Sequence, residues 1–217
     1  MEIGAFEGRP GFRGLGELTE DELEALWPER RPVMGERIEL AVAAWDAFCA
    51  PEPTAVQAFL GRDSSSSPFL RAALFRLLEE LPDLETGLAR SERQLLEELA
   101  AGARTAPQLF GAGQEREEAP FEGDAWSYRR LAELGSGASP LVALAHGGAI
   151  PDPPPLGDAR SFVAAPLALT DAGRAALAGE ADRVELLGID RWLGGVHLRP
   201  EQHWRWDRRA RGVVARS

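Results

Sequence analysis

The sequence contains no lysine and no asparagine, so every one of its 24 basic side chains is an arginine. Such a bias is typical of GC-rich coding, and no single arginine can therefore be taken as chosen over lysine for bidentate hydrogen bonding. Cysteine is almost absent too. Cys49 is the only one, which excludes an internal disulfide and a Cys-x-x-Cys metal pair. It lies on a predicted helix, and we expect a buried, inert thiol.

Long apolar runs and nucleotide-binding loops are also missing. No apolar stretch reaches the roughly 18 residues that span a bilayer, and the first residues lack an apolar signal core, so we expect a cytoplasmic protein that does not enter a membrane. The patterns GxGxxG, GxxxxGK[ST] and GxSxG do not occur, and we therefore predict no cofactor and no catalytic residue. The histidines His146, His197 and His203 lack a recognised ligand spacing, so no metal site is predicted.

Acidic residues outnumber arginines, and the formal net charge is −11. The excess is uneven: residues 1–182 hold 16 arginines and 31 acids, whereas residues 183–217 hold 8 arginines and 4 acids. An acidic body opposes binding to nucleic acid, because phosphate neutralisation drives that binding. The basic end either contacts an acidic partner or packs on the acidic body.

The patterning predicts an α+β, mainly helical protein. Its predicted parts are an irregular leader (1–18), a helical unit (19–86), a winged-helix-like unit (87–182) and a basic, β-rich tail (183–217). In the helical unit, four apolar side chains recur at helical spacing and are predicted to face the core. They are Ile38, Val42, Trp45 and Cys49. The Trp204 and Trp206 pair in the tail is expected to pack rather than to stack on nucleic acid.

The winged-helix prediction depends on the order of elements between residues 87 and 182. Capping residues predict helices that begin near residues 91, 105 and 124. Two strands, within 141–146 and 162–169, are expected to pair antiparallel across a proline-rich irregular loop. Thr170 is predicted to cap a closing helix.

The third of these helices would enter the major groove in a DNA-binding winged helix. Its candidate nucleic-acid or partner contacts are Ser127, Tyr128, Arg129 and Arg130. Acids surround the helix and would face the phosphates, which favours a protein partner. They are Glu115, Glu117, Glu118 and Glu122 before the helix, and Asp152 and Asp158 in the wing.

The segment "GIDRWLGGVHL" is the candidate functional turn, with Asp190, Arg191, Trp192 and His197. Asp190 beside Arg191, with His197 nearby, could form an acid–base or anion site. The alternative is a structural turn, with an Asp–Arg pair and Trp192 in a core, in which case Asp190→Ala is expected to cost about 1–3 kcal/mol. The glycine pair lets a backbone approach closely.

Three segments carry a resemblance: "PFLRAALFRLLEELPDLETGLARSERQLLEELAAG", "APFEGDAWSYRRLAEL" and "LTDAGRAALAGEADRVELLGIDRWLGGVHL". They resemble the C-terminal half of uncharacterised bacterial proteins whose N-terminal half is catalogued as domain of unknown function 1835. The resemblance spans about residues 5–215, and the α/β half of those proteins is expected to precede this region. The matching residues are Gly123, Asp124, Trp126, Arg129, Arg130, Gly173, Arg174, Asp190, Arg191, Trp192, Gly194, Gly195 and His197. The family implies no activity.

Our leading interpretation is a non-catalytic protein-interaction or regulatory module built on a winged helix. The first alternative is a DNA-binding transcriptional regulator, which a continuous arginine surface on the third helix would favour. The second is an enzyme with a site around Asp190, Arg191 and His197, which a deep pocket joining Asp190 to His197 would favour.

Overall fold

The structure is a computed structural model and describes residues 6–9, 12, 14–30, 32–102, 104–201 and 203–216. These residues form a mainly helical α+β fold with short antiparallel strand pairs, as predicted. The helices are α1 (Glu20–Leu26), α2 (Gly35–Cys49), α3 (Thr54–Phe59), α4 (Leu70–Leu78), α5 (Arg90–Ala100), α6 (Ala106–Glu115), α7 (Asp124–Leu134), α8 (Ala159–Ala164), α9 (Asp171–Ala178) and α10 (Arg183–Leu187). The strands are β1 (Val142–Leu144), β2 (Leu167–Leu169), β3 (Arg191–Leu193), β4 (Val196–Leu198), β5 (His203–Asp207) and β6 (Gly212–Arg216).

Side-chain caps determine where several helices begin. At the start of α1, Glu22 Oε2 accepts a hydrogen bond from the Thr19 N–H at 2.7 Å, and the Thr19 hydroxyl accepts from the Glu22 N–H. At the start of α9, Thr170 Oγ1 accepts from the Gly173 N–H at 3.0 Å. The cap at Thr170 confirms the prediction, and in both cases the hydroxyl satisfies a backbone donor that the first turn of the helix leaves free.

The two predicted strands after α7 do pair antiparallel. Val142 of β1 lies opposite Leu169 of β2, and Arg104 forms a further bridge with Leu167. The second strand is shorter than predicted, because residues 159–164 form α8. The Asp158 carboxylate caps this helix by accepting from the Ser161 N–H at 2.9 Å.

Two apolar cores organise the chain. The first lies among α5, α6, α7, α8, α9 and the β1–β2 pair, and includes Leu96, Leu109, Leu131, Leu141 and Phe162. The second joins α2, α3 and α4 to the strands of the C-terminal segment, and includes Leu78, Leu81, Ile189, Leu198 and Trp206. The C-terminal strands therefore pack on the N-terminal helices.

The side of α2 that was predicted to be buried faces solvent instead. Ile38, Val42 and Trp45 are 51%, 54% and 64% exposed, and Cys49 is exposed as well. The helix buries Leu40 and Ala44 on the opposite side. The prediction was wrong because both sides of α2 are apolar at helical spacing, and the small alanines are the ones that pack closely.

The tail predicted to be β-rich begins with α10 and continues as two hairpins, β3–β4 and β5–β6. Trp206 packs edge-on against Phe75 of α4, with ring centroids 5.4 Å apart, and Trp204 packs against the same core. Between them Arg205 is fully buried and lies 2.9 Å from the Asp182 carboxylate. The two tryptophans pack within the fold, as expected.

Substitution of Gly173 tests how closely α9 approaches the first core, and Gly113 of α6 provides the control. A Cβ on Gly173 would lie 2.2 Å from the carbonyl oxygen of Leu141, whereas one on Gly113 of α6 would meet nothing within 4 Å. We expect Gly173→Ala to lower the free energy of unfolding by about 1–3 kcal/mol, because overpacking costs that much. Gly113→Ala should raise it by up to about 1 kcal/mol through helix propensity. Urea unfolding measures both, and equal effects would contradict the close approach.

Candidate functional site

Glu80, directly after α4, links three helices through its buried carboxylate. Its Oε1 accepts hydrogen bonds from Arg76 Nη1 at 2.7 Å and from Ser91 Oγ at 2.6 Å. Its Oε2 lies 3.2 Å from Arg130 Nη1. Because Arg76, Ser91 and Arg130 lie on α4, α5 and α7, this side chain ties the second core to the first.

Glu92 of α5 makes a similar connection to the C-terminal segment. Its side chain is completely buried, and its Oε2 accepts from the Ala89 N–H at 2.8 Å. Its Oε1 lies 3.2 Å from Arg183 Nε and 3.3 Å from Arg191 Nη1. Since these arginines begin α10 and β3, Glu92 holds the hairpin region against α5.

Both carboxylates are ionised at neutral pH. Burial raises the pKa of Glu80, but the charges of Arg130 and Arg76 outweigh it and lower that pKa to about 2. Burial also opposes ionisation of Glu92, and Arg183 and Arg191 hold its pKa below the ordinary value. A buried carboxylate of this kind is retained only when its partners stay in place.

Three of the four predicted contact residues on α7 are engaged within the fold. Ser127 is buried, and Arg130 Nη2 lies 2.7 Å from Glu122 Oε1 in addition to its contact with Glu80. The Tyr128 ring packs against Phe162 at 5.3 Å between centroids. These side chains are therefore occupied by the first core and its ion pairs.

Arg129 is the fourth predicted contact residue, and it faces solvent. Its Nε lies 3.1 Å from Glu133 Oε1, one turn along the same helix. Trp126 is exposed beside it, with the Arg129 guanidinium 5.8 Å from its ring centroid. The described part of α7 thus presents a tryptophan and a paired arginine, and no continuous arginine surface.

The candidate turn directs Asp190 and Arg191 to opposite sides. Arg191 points inward, where its Nη2 donates to the Glu80 carbonyl oxygen at 3.0 Å. The Asp190 side chain is 82% exposed and its Oδ1 lies 2.6 Å from His197 Nε2. The expected Asp–Arg pair does not form. Trp192, expected in a core, is 66% exposed, because side chains alternate along β3.

His197 has both ring nitrogens occupied. Nε2 contacts Asp190, and Nδ1 accepts from Arg199 Nε at 2.8 Å. The Trp192 indole stacks on the imidazole, with centroids 4.3 Å apart. Asp190 and His197 line neither main cavity of the described part of the chain. The described residues also contain no group of three His, Cys, Asp or Glu side chains that could hold a metal ion.

The glycine pair brings the β3–β4 turn onto the end of α2. The Gly195 N–H donates to the Phe48 carbonyl oxygen at 2.8 Å, and a Cβ on Gly195 would lie 2.0 Å from the Cys49 carbonyl oxygen. Gly194 has a φ of +59°, which glycine adopts without strain. The pair therefore serves the close backbone approach that the sequence suggested, and the partner is α2.

An exposed apolar stripe runs along α2. Met34, Ile38, Val42, Trp45 and Cys49 form it and are called here the α2 outer face. Met34 is 69% exposed, and the stripe lies opposite the side that packs on the second core. Glu39 and Asp46 are exposed on one flank. Helical spacing had identified four of these residues, but it could not tell an inner from an outer side.

Comparisons with known proteins add nothing to this geometry. No family model, curated protein or solved structure matches the chain. The resemblance to the domain-1835 proteins therefore stays a prediction. Within the described ranges, no helix combines the length and apolarity needed to cross a bilayer.

The Glu80 ion pairs give the first test of the site. Glu80→Gln should lower the free energy of unfolding by about 3–5 kcal/mol near neutral pH, because buried arginines lose their counter-charge. The folded pKa of about 2 lies below the ordinary 4.5. Stabilisation by this carboxylate is thus present above pH 4.5 and lost as the pH falls towards 2. Urea unfolding across this range should show the variant converging on the wild type.

Glu118→Gln is the matched control for that experiment. Glu118 is an exposed carboxylate that pairs with Arg90 at 3.0 Å, and surface pairs contribute at most about 1 kcal/mol. A loss at Glu80 no larger than at Glu118 would contradict the buried ion-pair arrangement.

The exposure of Asp190 changes the effect expected from its removal. Asp190→Ala should alter the free energy of unfolding by no more than about 0.5 kcal/mol, as for other surface positions. Arg191→Ala should lower it clearly more, because Glu92 then loses a buried partner. Thermal unfolding compares the two. A larger loss at Asp190 than at Arg191 would restore the structural turn that the sequence had suggested.

Proposed function

We propose that this chain is a non-catalytic protein-interaction module built on a winged helix, and that the α2 outer face is its binding surface. The winged-helix proposal is supported by the order α5, α6, α7, β1 and β2. The Arg104–Leu167 bridge supports it further, since it places a short third strand position beside the β1–β2 pair.

The α2 outer face carries the proposal. A helix on the surface of a monomer normally has one apolar stripe and one polar side, but α2 is apolar on two opposite sides. Contiguous exposed apolar patches mark interaction sites. Large side chains such as Trp45 and Met34 are enriched in the buried centres of interfaces.

The partner proposed for this face is an amphipathic helix with basic residues beside its apolar stripe. Helices pack by interdigitating such stripes, and the exposed carboxylates of Glu39 and Asp46 would meet the basic flank. The chain's net charge of −11 also favours a positively charged partner. A second copy fits less well, because a two-fold antiparallel pairing would place the acidic flank beside itself.

The inward side chains of α7 support a scaffolding role for the winged-helix unit. Three side chains of α7 take part in ion pairs and packing: Arg130, Ser127 and Tyr128. Contact with DNA would require these internal contacts to break. Both ring nitrogens of His197 are engaged, and this engagement does not favour the enzyme interpretation.

A synthetic leucine–arginine amphipathic peptide tests the proposal. We expect fluorescence anisotropy to show saturable binding that weakens with added salt. Val42→Glu and Trp45→Glu should each weaken it at least about tenfold, since each places a charge in the apolar stripe. Leu156→Glu is the control, because Leu156 is highly exposed but lies in the β1–β2 connection. Circular dichroism checks that each variant folds.

Three outcomes would overturn the proposal. The first is unchanged peptide binding by folded Val42→Glu and Trp45→Glu proteins. The second is a dimer in sedimentation that Val42→Glu dissociates, which would assign the face to a second copy. The third is sub-micromolar, sequence-selective binding of duplex DNA near about 150 mM salt, which would favour a transcriptional regulator.

A further inference from the structure

A cleft of about 230 Å³ opens between α5, the end of α6 and the β5–β6 turn. Four arginines and two carboxylates line it, together with Gln94 and Trp206. The charged residues are Arg90, Arg93, Arg116, Arg208, Glu79 and Glu97. In a chain whose net charge is −11, a cleft with twice as many arginines as acids is unusual.

The fold itself brings these arginines together. Arg90 and Arg93 are one turn apart on α5 and share a side, and Arg116 caps the end of α6. Arg208 is held near them because β5 runs beside the segment that precedes α5. There the Trp206 N–H donates to the Pro82 carbonyl oxygen at 2.9 Å.

The two lining carboxylates compensate only two of the arginines. Glu79 Oε2 lies 2.7 Å from Arg90 Nη1, and Glu97 pairs with Arg116. The counter-charges of Arg93 and Arg208 therefore come from carboxylates that do not line the cleft.

Arg93 and Arg208 share one carboxylate oxygen. Asp83 Oδ2 lies 2.6 Å from Arg93 Nη2 and 2.7 Å from Arg208 Nε. The other oxygen of Asp83 accepts the backbone N–H groups of Glu85 and Thr86. Glu85 also pairs with Arg208, whose Nη2 lies 3.0 Å from Oε2, and its Oε1 lies 2.8 Å from Arg209 Nη2.

Arg93 is short of negative charge. Its Nε is buried and has no hydrogen-bond partner. Burial, together with the charge of Arg208, lowers the pKa of Arg93 below its ordinary value, although Asp83 pulls the other way. An anion in the cleft would add negative charge beside Arg93 and Arg208.

We propose that this arginine cleft binds a phosphate dianion, free or on a small organic molecule. Guanidinium groups match phosphate geometry and bind it with paired charge-assisted hydrogen bonds. The proposed ligand places its oxygens between Arg93, Arg116 and Arg208. The cleft does not involve the α2 outer face, so this proposal is independent of the proposed function.

Isothermal titration of the full chain with inorganic phosphate, in chloride buffer at constant ionic strength, tests the cleft. A second titration with glycerol phosphate distinguishes free phosphate from an organic phosphate as the ligand. Binding tighter than that of inorganic phosphate indicates an organic phosphate, and equal or weaker binding indicates free phosphate. Arg208→Gln should weaken binding at least about fivefold, as expected for loss of a charged hydrogen bond. Arg209→Gln, in the same turn but outside the lining, should change it less than about twofold.

Arg116→Gln provides a second variant, since its partly exposed side chain can be replaced without breaking a buried pair. It should also weaken binding by about fivefold. Absence of saturable binding by the folded wild type up to about 50 mM phosphate, a concentration at which even a weak millimolar site would fill, would overturn the proposal. Equal weakening by Arg208→Gln and Arg209→Gln would overturn it too, because it would indicate only general attraction to positive charge.

Discussion

The pairing of buried glutamates with arginines from distant segments is the constraint on which the arrangement of this protein depends. Apolar packing builds two separate cores, and packing alone leaves their relative position poorly specified. Glu80 pairs with arginines of α4 and α7, and Glu92 of α5 pairs with arginines that begin α10 and β3, so each carboxylate links elements of the two cores. Because an ionised carboxylate cannot stay buried without its partners, the helices and the hairpin are held in one relative position.

The same requirement explains where the arginines are used. With no lysine in the chain, every buried counter-charge must be a guanidinium, whose fixed fork suits several partners at once. Arg130 serves Glu80 and Glu122 simultaneously. If α7 is the third helix of a winged helix, as proposed, Arg130 would ordinarily be assigned to DNA. Here that side chain completes the interior, while the surface keeps most of the acids.

Local signals in the sequence predicted local structure well. Thr19 and Thr170 cap their helices through residues three positions away. The β1–β2 pair and the close approach at the glycine pair were also foreseeable in kind, but the sequence did not show that the glycine pair would meet α2. The outward side of α2, the exposure of Trp192 and the split between Asp190 and Arg191 were not foreseeable. Each of these features depends on which residue, distant in the sequence, a side chain contacts in the fold. Arg191, for example, contacts residues about a hundred positions away. Spacing along one segment carries no information about that competition.

The two proposed sites differ in how the fold creates them. The α2 outer face exists because α2 packs on the second core with Leu40 and several alanines, which leaves four large apolar side chains on the other side. The arginine cleft exists because Asp83 must serve two arginines with one oxygen, after its other oxygen has gone to the backbone of the turn before α5. In one site the surplus is apolar area, and in the other it is arginine over carboxylate among the side chains that line the cleft. Each surplus indicates the chemistry of what would cover it: an apolar helix with a basic flank on α2, and a compact dianion beside Arg93.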